Sequence, residues 1–131
     1  MMATASTVTE YMSRELLLVN PESGLAAAAS VMSQRRIGSV LVVENGRLVG
    51  IFTERDIVRA VSQDVMAMHE PVSDWMTRDP LTVAPDTSVD VARELMLQHH
   101  VRHLPVTQGE ELLGIISMRD LTRATVDEDR A

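Results

Sequence analysis

The chain repeats itself. Residues 8–61 align with residues 72–125 at an offset of 64 without a gap, and 17 of 54 positions are identical. The matches include Met12/Met76, Pro21/Pro85, Met32/Met96, Gly50/Gly114 and Asp56/Asp120. A duplication of this length dictates two copies of one supersecondary unit. A unit of about 60 residues buries only ~60% of its unfolded surface and is marginal alone, so the copies are expected to pack on each other. The most distinctive stretch is Gly50-Ile51-Phe52-Thr53-Glu54-Arg55-Asp56, which returns as Gly114-Ile115-Ile116-Ser117-Met118-Arg119-Asp120. In both, an apolar strand ends at a hydroxyl residue and a helix beginning Arg-Asp follows. A hydroxyl, a carboxylate, a cation and the N–H groups of a helix start then share one turn, which suits a sugar hydroxyl pair and an attached phosphate. Thr53-x-x-Asp56 and Ser117-x-x-Asp120 also spell a capping box, which needs no ligand. Two copies in equivalent places favour a paired site.

Each copy reads as β-α-β-β-α. Val8-Thr9-Glu10-Tyr11-Met12-Ser13 answers Val72-Ser73-Asp74-Trp75-Met76-Thr77 as a leading segment. Leu16–Val19 and Leu81–Val83 are short apolar runs ended by Pro21 and Pro85, hence short strands or extended arms. Ser23 and Thr87 then stand as N-caps. Leu25, Ala28, Met32 and Val89, Ala92, Met96 recur at helical spacing, with methionine as core filler. Gly38–Val43 and Arg102–Thr107 follow as strands. Asn45-Gly46 and the Gln108-Gly109-Glu110 region are the turns, Arg47–Thr53 and Glu111–Ser117 the return strands. Arg55–Ser62 and Arg119–Thr125 close each copy as helices. The spacing thus gives copies at 8–61 and 72–125 and a linker at 62–71, each copy's sheet face covered by the other. Residues 1–7 are expected to fray and Asp127–Ala131, a charged tail, to be disordered.

Composition narrows the function. Hydrophobic residues make up 45% of the chain with only three aromatics, Tyr11, Phe52 and Trp75, so the core must use aliphatic residues and nine methionines. There is no cysteine, which removes disulfides and thiolate metal sites. The start is neither basic nor apolar enough for a signal peptide, and no apolar run approaches the ~20 residues of a membrane span. The expectation is a cytoplasmic protein with no membrane partner. A net charge of −7 argues against general nucleic-acid binding. Local anion sites remain open, because Arg35, Arg36, Arg55, Arg102 and Arg119 cluster, several of them beside the repeated corner.

The paired Val-x-(Asp/Glu)-aromatic-Met-(Ser/Thr) start, the β-α-β-β-α unit, the duplicated corner and Arg102-His103-Leu104-Pro105-Val106 resemble a tandem of cystathionine-β-synthase (CBS) domains, a Bateman module, over residues 8–125. The resemblance implies an α+β fold of two CBS repeats packed sheet to sheet with pseudo-twofold symmetry, leaving two clefts. It implies AMP, ADP or ATP as ligand, with S-adenosylmethionine or NAD as further candidates, and no required cofactor. Asp56 and Asp120 would accept from the ribose hydroxyls, and Thr53 and Ser117 would contact ribose or phosphate. Leu18, Val19, Thr82 and Val83, with Ser39, Val40, His103 and Leu104, would supply the apolar walls and backbone groups around the base. Arg55 and Arg119 would lie near the phosphate, which Arg102 and His103 could reach from the strand start. A carboxylate suits a diol and arginine a phosphate fork. Where the second copy has Arg102 and His103 the first has Gly38 and Ser39, so the site receiving that pair is expected to hold phosphate more tightly.

Three other readings are weighed. The first is a ligand-free interaction or dimerisation module, since fold does not settle function. The second is a metal site at His99, His100 and His103, against which stand the helix end near His100 and the absence of a His-Glu-x-x-His pattern. Met66, Met68 and His69 in the linker lack partner spacing for a metal. The third is an enzyme, for which no nucleophile–base pair or P-loop is evident. In the family the module regulates an attached enzyme, channel or transporter. No such domain is attached here, so the expectation is a stand-alone sensor, homodimeric, acting on a separate protein partner. Ligand would tie the two units together and shift the dimer surface between two arrangements. The helices after each corner and the Met-rich linker are the expected contact surfaces.

Overall fold

Local chemistry sets each element of the computed structural model, which describes residues 6–130. Helix α1 (Leu25–Arg35) buries Leu25, Ala28 and Met32, and α3 (Val89–His99) buries Val89, Ala92 and Met96, one stripe each. Both begin one residue later than the capping residues suggest. Ser23 is engaged in the preceding turn, where its Oγ accepts from the Asn20 N–H at 3.2 Å, and Gly24 becomes the N-cap. Ser88, not Thr87, caps α3 through an Oγ that accepts from the Val91 N–H at 3.1 Å. Each helix ends on a left-handed residue, Arg36 (φ 56°) and His100 (φ 54°). The next N–H, of Ile37 or Val101, then donates to Met32 or Met96 at 3.0 Å, an arrangement usually given to glycine.

The hairpins follow the turn residues. Strands β2 (Ser39–Glu44) and β3 (Arg47–Thr53) join through Asn45-Gly46, both at positive φ, the requirement of a two-residue turn matched to strand twist. Strands β5 (His103–Gln108) and β6 (Glu111–Ser117) join through Gly109-Glu110. Both hairpins shift register at the same place, opposite Val49 in one and Leu113 in the other. A helix leaves each return strand at once: α2 (Glu54–Gln63) and α4 (Met118–Arg130).

The compact bodies do not coincide with the sequence copies. One consists of Leu16–Pro80, the other of the chain through Glu15 together with the chain from Leu81. Val72 is buried with Leu25, Phe52 and Ala60, whereas Val8 is buried with Met96, Leu104, Ile116 and Leu121. Each leading arm therefore completes the core built by the other copy. In the Leu16–Pro80 body the arm forms β4 (Thr77–Arg78), antiparallel to β3, and the sheet order is β1-β2-β3-β4 with β1 at Leu18–Val19. In the other body the same rows shrink to single bridges, Ser13 to Ile115 and Val83 to Val106, flanking the β5–β6 pair. The three strands expected per copy thus become four rows, the fourth supplied by the arm.

The repeated glycine marks the arm's crossing point. A Cβ at Gly50 would collide with the Met76 sulfur, and one at Gly114 would sit 2.7 Å from the Ser13 carbonyl oxygen and 2.8 Å from the Met12 sulfur. The linker is packed rather than loose. Val65–His69 forms a 3-10 turn capped by the Asp64 carboxylate, with Ala67 fully buried.

Two expectations at the ends change. Of residues 1–7, the first five lie outside the described residues. Ser6 and Thr7 are paired, through Val89 N–H to Ser6 O at 3.0 Å and a Thr7–Ser88 bridge. The charged tail continues α4 to Arg130 instead of disordering, with Tyr11 Oη donating to Asp127 Oδ2 at 3.0 Å; Ala131 lies outside the described residues.

Candidate functional site

Each body carries one corner. Thr53 ends β3 in an extended conformation and is the N-cap of α2. Its N–H and its Oγ1 both donate to Asp56 Oδ2, at 2.9 and 3.2 Å. In the other body the Ser117 N–H and Oγ donate to Asp120 Oδ2 at 2.8 and 2.9 Å, and the Asp120 N–H returns a bond to Ser117 Oγ at 3.2 Å. The capping box is therefore formed in both copies. It occupies one oxygen of each carboxylate and fixes the direction of the other.

The starts of β2 and β5 lie beside the corners. Ser39 pairs with Thr53 and His103 with Ser117. Glu54 N–H donates to Gly38 O at 3.1 Å, and Met118 N–H to Arg102 O at 2.9 Å. Arg55 and Arg119 are exposed on the first turns of α2 and α4, and Arg102 is exposed at the foot of β5.

Strand alternation splits the residues expected around the base. Val40 and Leu104 are buried in the cores, Val83 with them, and Val19 packs against the same core as Val40. Their side chains point toward the helices, so only their backbone groups can serve a site on the opposite sheet face. Leu18, 52% exposed, stands on that opposite face together with Ser39 and Thr53, and Thr82 stands on it with His103 and Ser117. Leu18 pairs with Leu41, two residues along from Ser39, or roughly 7 Å at the rise of a strand.

Two residues of this neighbourhood, Arg59 and Arg123, are absent from the sequence reading, which names their partners Trp75 and Tyr11 only in the leading segments and among the aromatics. Arg59 Nη2 donates to Asp56 Oδ1 at 3.3 Å and to the Trp75 carbonyl at 2.8 Å, while its guanidinium lies 5.1 Å from the Trp75 ring centroid. Arg123 repeats this 64 residues on. Its Nη2 donates to the Tyr11 carbonyl at 3.0 Å, its guanidinium lies 5.5 Å from the Tyr11 ring, and it stands 3.8 Å from Asp120 Oδ1. Each corner carboxylate is thus connected by an arginine to the aromatic residue of a leading arm. The signal was available: Arg59 and Arg123 are identical in the aligned copies and stand three residues after the aspartates.

The corners differ at the second carboxylate oxygen. Asp56 Oδ1 is engaged by Arg59. Asp120 Oδ1 accepts no hydrogen bond among the described residues, Arg123 being 3.8 Å away. A carboxylate oxygen has two lone-pair positions, so Asp120 can accept a pair of hydroxyls without displacing anything. The histidines weighed for a metal take three backbone states: His99 ends α3, His100 is its left-handed cap and His103 opens β5. Among the described residues no three His, Cys, Asp or Glu side chains are grouped to hold a metal ion, and no helix is long and apolar enough to cross a membrane.

The family model for the CBS domain matches twice, at residues 8–63 and 72–127. The chain belongs to the CBS-domain family. It is a CBS pair of mixed α+β type. The pair is 39% identical over 125 residues to a 17.7 kDa protein of Acidianus ambivalens, covering 94% of this chain and 75% of that relative. It matches the structure of a protein with CBS domains from Burkholderia ambifaria with a TM-score of 0.88 at 32% identity, covering 93% of this chain and 95% of the other. Two more distant structures hold adenosyl compounds. One is the CBS domain pair of MJ0100, with 5-methylthioadenosine and S-adenosyl-L-methionine (TM-score 0.87, 24% identity, 95% and 99% covered). The other is CBSX2 with AMP (TM-score 0.80, 24% identity, 95% and 98% covered). At 24% identity these two share the fold with this CBS pair.

Proposed function

We propose that this CBS pair is an adenine-nucleotide-binding regulatory module that takes the ribose of its ligand on the corner aspartates and carries no catalysis of its own. The observation that carries the reading is the state of Asp120. Its Oδ2 is fixed by Ser117 while its Oδ1 accepts no hydrogen bond among the described residues, leaving a held, charged acceptor for a diol. Charged acceptors make the stronger hydrogen bonds. Ser39 and Leu18, or His103 and Thr82, share the sheet face of each corner, and Arg55, Arg119 and Arg102 supply cations for phosphate. AMP, 5-methylthioadenosine and S-adenosyl-L-methionine, bound by the two distant neighbours, have in common an adenosine with an intact ribose diol. AMP, ADP and ATP lead for this chain because the arginines favour a phosphate.

The reading includes a homodimer that reports ligand state to a separate protein. Its support is the apolar exposure of α2 and the following turn, where Val58 is 69% and Val65 66% exposed, with Met66 and Met68 beside them. A thermal-shift panel of adenine and guanine nucleotides, S-adenosylmethionine and NAD tests the binding. Ligand that binds only the folded state raises the melting temperature by mass action. The expected result is a shift confined to adenosyl compounds that disappears in Asp120→Ala. A flat panel would favour a ligand-free interaction module.

A further inference from the structure

We infer that Arg59 is a positioning residue that reads whether the Asp56 corner is occupied and passes that state to Trp75 on the leading arm. The inference rests on the adenosyl-binding reading and adds to it a route by which one corner signals. Asp56 already accepts three donors: the Thr53 N–H and Oγ1 on Oδ2, and Arg59 Nη2 on Oδ1. A carboxylate offers about four lone-pair positions, so a diol donating both hydroxyls exceeds what remains. Thr53 is held by the capping box and by strand pairing to Ser39, whereas Arg59 is a long side chain, 48% exposed. The arginine is the donor that gives way.

Arg59 has a place to go. Its Nη2 already bonds the Trp75 carbonyl at 2.8 Å, shorter than its 3.3 Å contact to the carboxylate, and its guanidinium faces the indole. Losing Asp56 leaves the cation wholly with Trp75, whose indole N–H donates to Glu70 at 2.6 Å. Trp75 precedes Met76, which lies on Gly50, and β4, which edges the sheet. A change at the corner is thereby delivered to the arm. At the other corner Arg123 already stands 3.8 Å from its aspartate and bonds the Tyr11 carbonyl, the geometry Arg59 is inferred to reach on ligand binding. The Arg59–Asp56 contact is the shorter of the two ion pairs, 3.3 against 3.8 Å, and the one that is also a hydrogen bond.

Trp75 is the sole tryptophan, so its emission reports this body alone. The experiment titrates AMP into the whole protein in Asp120→Ala, which confines binding to the Asp56 corner, and follows calorimetric heat and Trp75 emission in parallel. With Arg59 present, both are expected to saturate together. In the same background Arg59→Met is expected to bind AMP about two- to five-fold more tightly, the fold-change equivalent to an exposed ion pair, and to lose the emission change. Arg59→Lys, which keeps the cation but cannot fork to carboxylate and carbonyl together, is expected to show a reduced change and guards against misfolding of the first variant. Heat with an undiminished emission change in both variants would overturn the relay and leave adenosyl binding standing. No heat with AMP at either corner of the unmodified protein would overturn both.

Discussion

Arg59 and Trp75 are joined twice, by a hydrogen bond of 2.8 Å from Nη2 to the backbone carbonyl and by a guanidinium 5.1 Å from the ring centroid. The pairing holds a leading arm against α2, whose own sequence copy is the other one. Trp75→Leu keeps the carbonyl but removes the ring face and the indole N–H bond to Glu70. With an exposed cation–π contact at about 0.5–1 kcal/mol and a net hydrogen bond of about 1 kcal/mol, the expected loss is about 1–2 kcal/mol in urea unfolding. An unchanged midpoint would show that the arm is held by Val72 and Met76 alone.

The two repeated glycines are expected to respond unequally. A Cβ at Gly50 meets the flexible side chain of Met76, which can rotate away, whereas at Gly114 it also meets the backbone oxygen of Ser13. Ser13 is fixed by reciprocal bonds with Ile115 at 2.9 and 3.0 Å. Gly114→Ala should cost about 2–3 kcal/mol and Gly50→Ala about 1 kcal/mol, by analogy with overpacked cores. Equal costs in chemical denaturation would contradict the asymmetry.

Arg36 ends α1 in the left-handed region at φ 56°, a conformation costly to any side chain with a Cβ. Arg36→Gly should therefore stabilise the fold by about 0.5–1 kcal/mol, the relief exceeding the extra flexibility of glycine in the unfolded chain. A lower melting temperature would mean that the arginine side chain contributes more than its backbone costs.

Tyr11 supplies a pH dependence. Its phenol is raised above the ordinary tyrosine value, first by desolvation, then by its hydrogen bond to Asp127 and by the negative charges of Asp127, Glu10 and Glu128. A pKa raised in the folded state contributes stability in full below the unfolded value, near 10, and loses it as pH climbs through the folded value. Every one of the 12 basic residues is an arginine, so no lysine titrates in that window. Melting temperature should fall from about pH 10 upward, and Tyr11→Phe should flatten the fall. An equal fall in Tyr11→Phe would contradict the assignment.

Much of this was legible from the amino acids, and what escaped has physical causes. The corners could be read because hydroxyl, arginine and aspartate stand within four residues, a distance over which a helix start fixes geometry. The exchange of arms could not. Val8 and Val72 are identical and sit in matching patterns, so hydrophobic periodicity shows that both are buried but not in which core. The side chains of Val19, Val40, Val83 and Leu104 went to the cores because adjacent strand residues face opposite ways, so a pair such as Leu18-Val19 presents one side chain to each face. The link from Arg59 and Arg123 to the arms escaped because their partners at Trp75 and Tyr11 are 16 and 112 residues away in sequence.

The most direct measurement compares AMP with 2′-deoxy-AMP by calorimetry on the unmodified protein and on Asp56→Asn with Asp120→Asn. The central claim is that the carboxylates read a ribose diol. A hydrogen bond to a charged acceptor is worth about 1.5–3 kcal/mol, so AMP should bind roughly ten- to a hundred-fold more tightly than its deoxy analogue, and the preference should vanish in the double variant. Equal affinity for the two nucleotides, or a preference that survives loss of both carboxylates, would contradict the account.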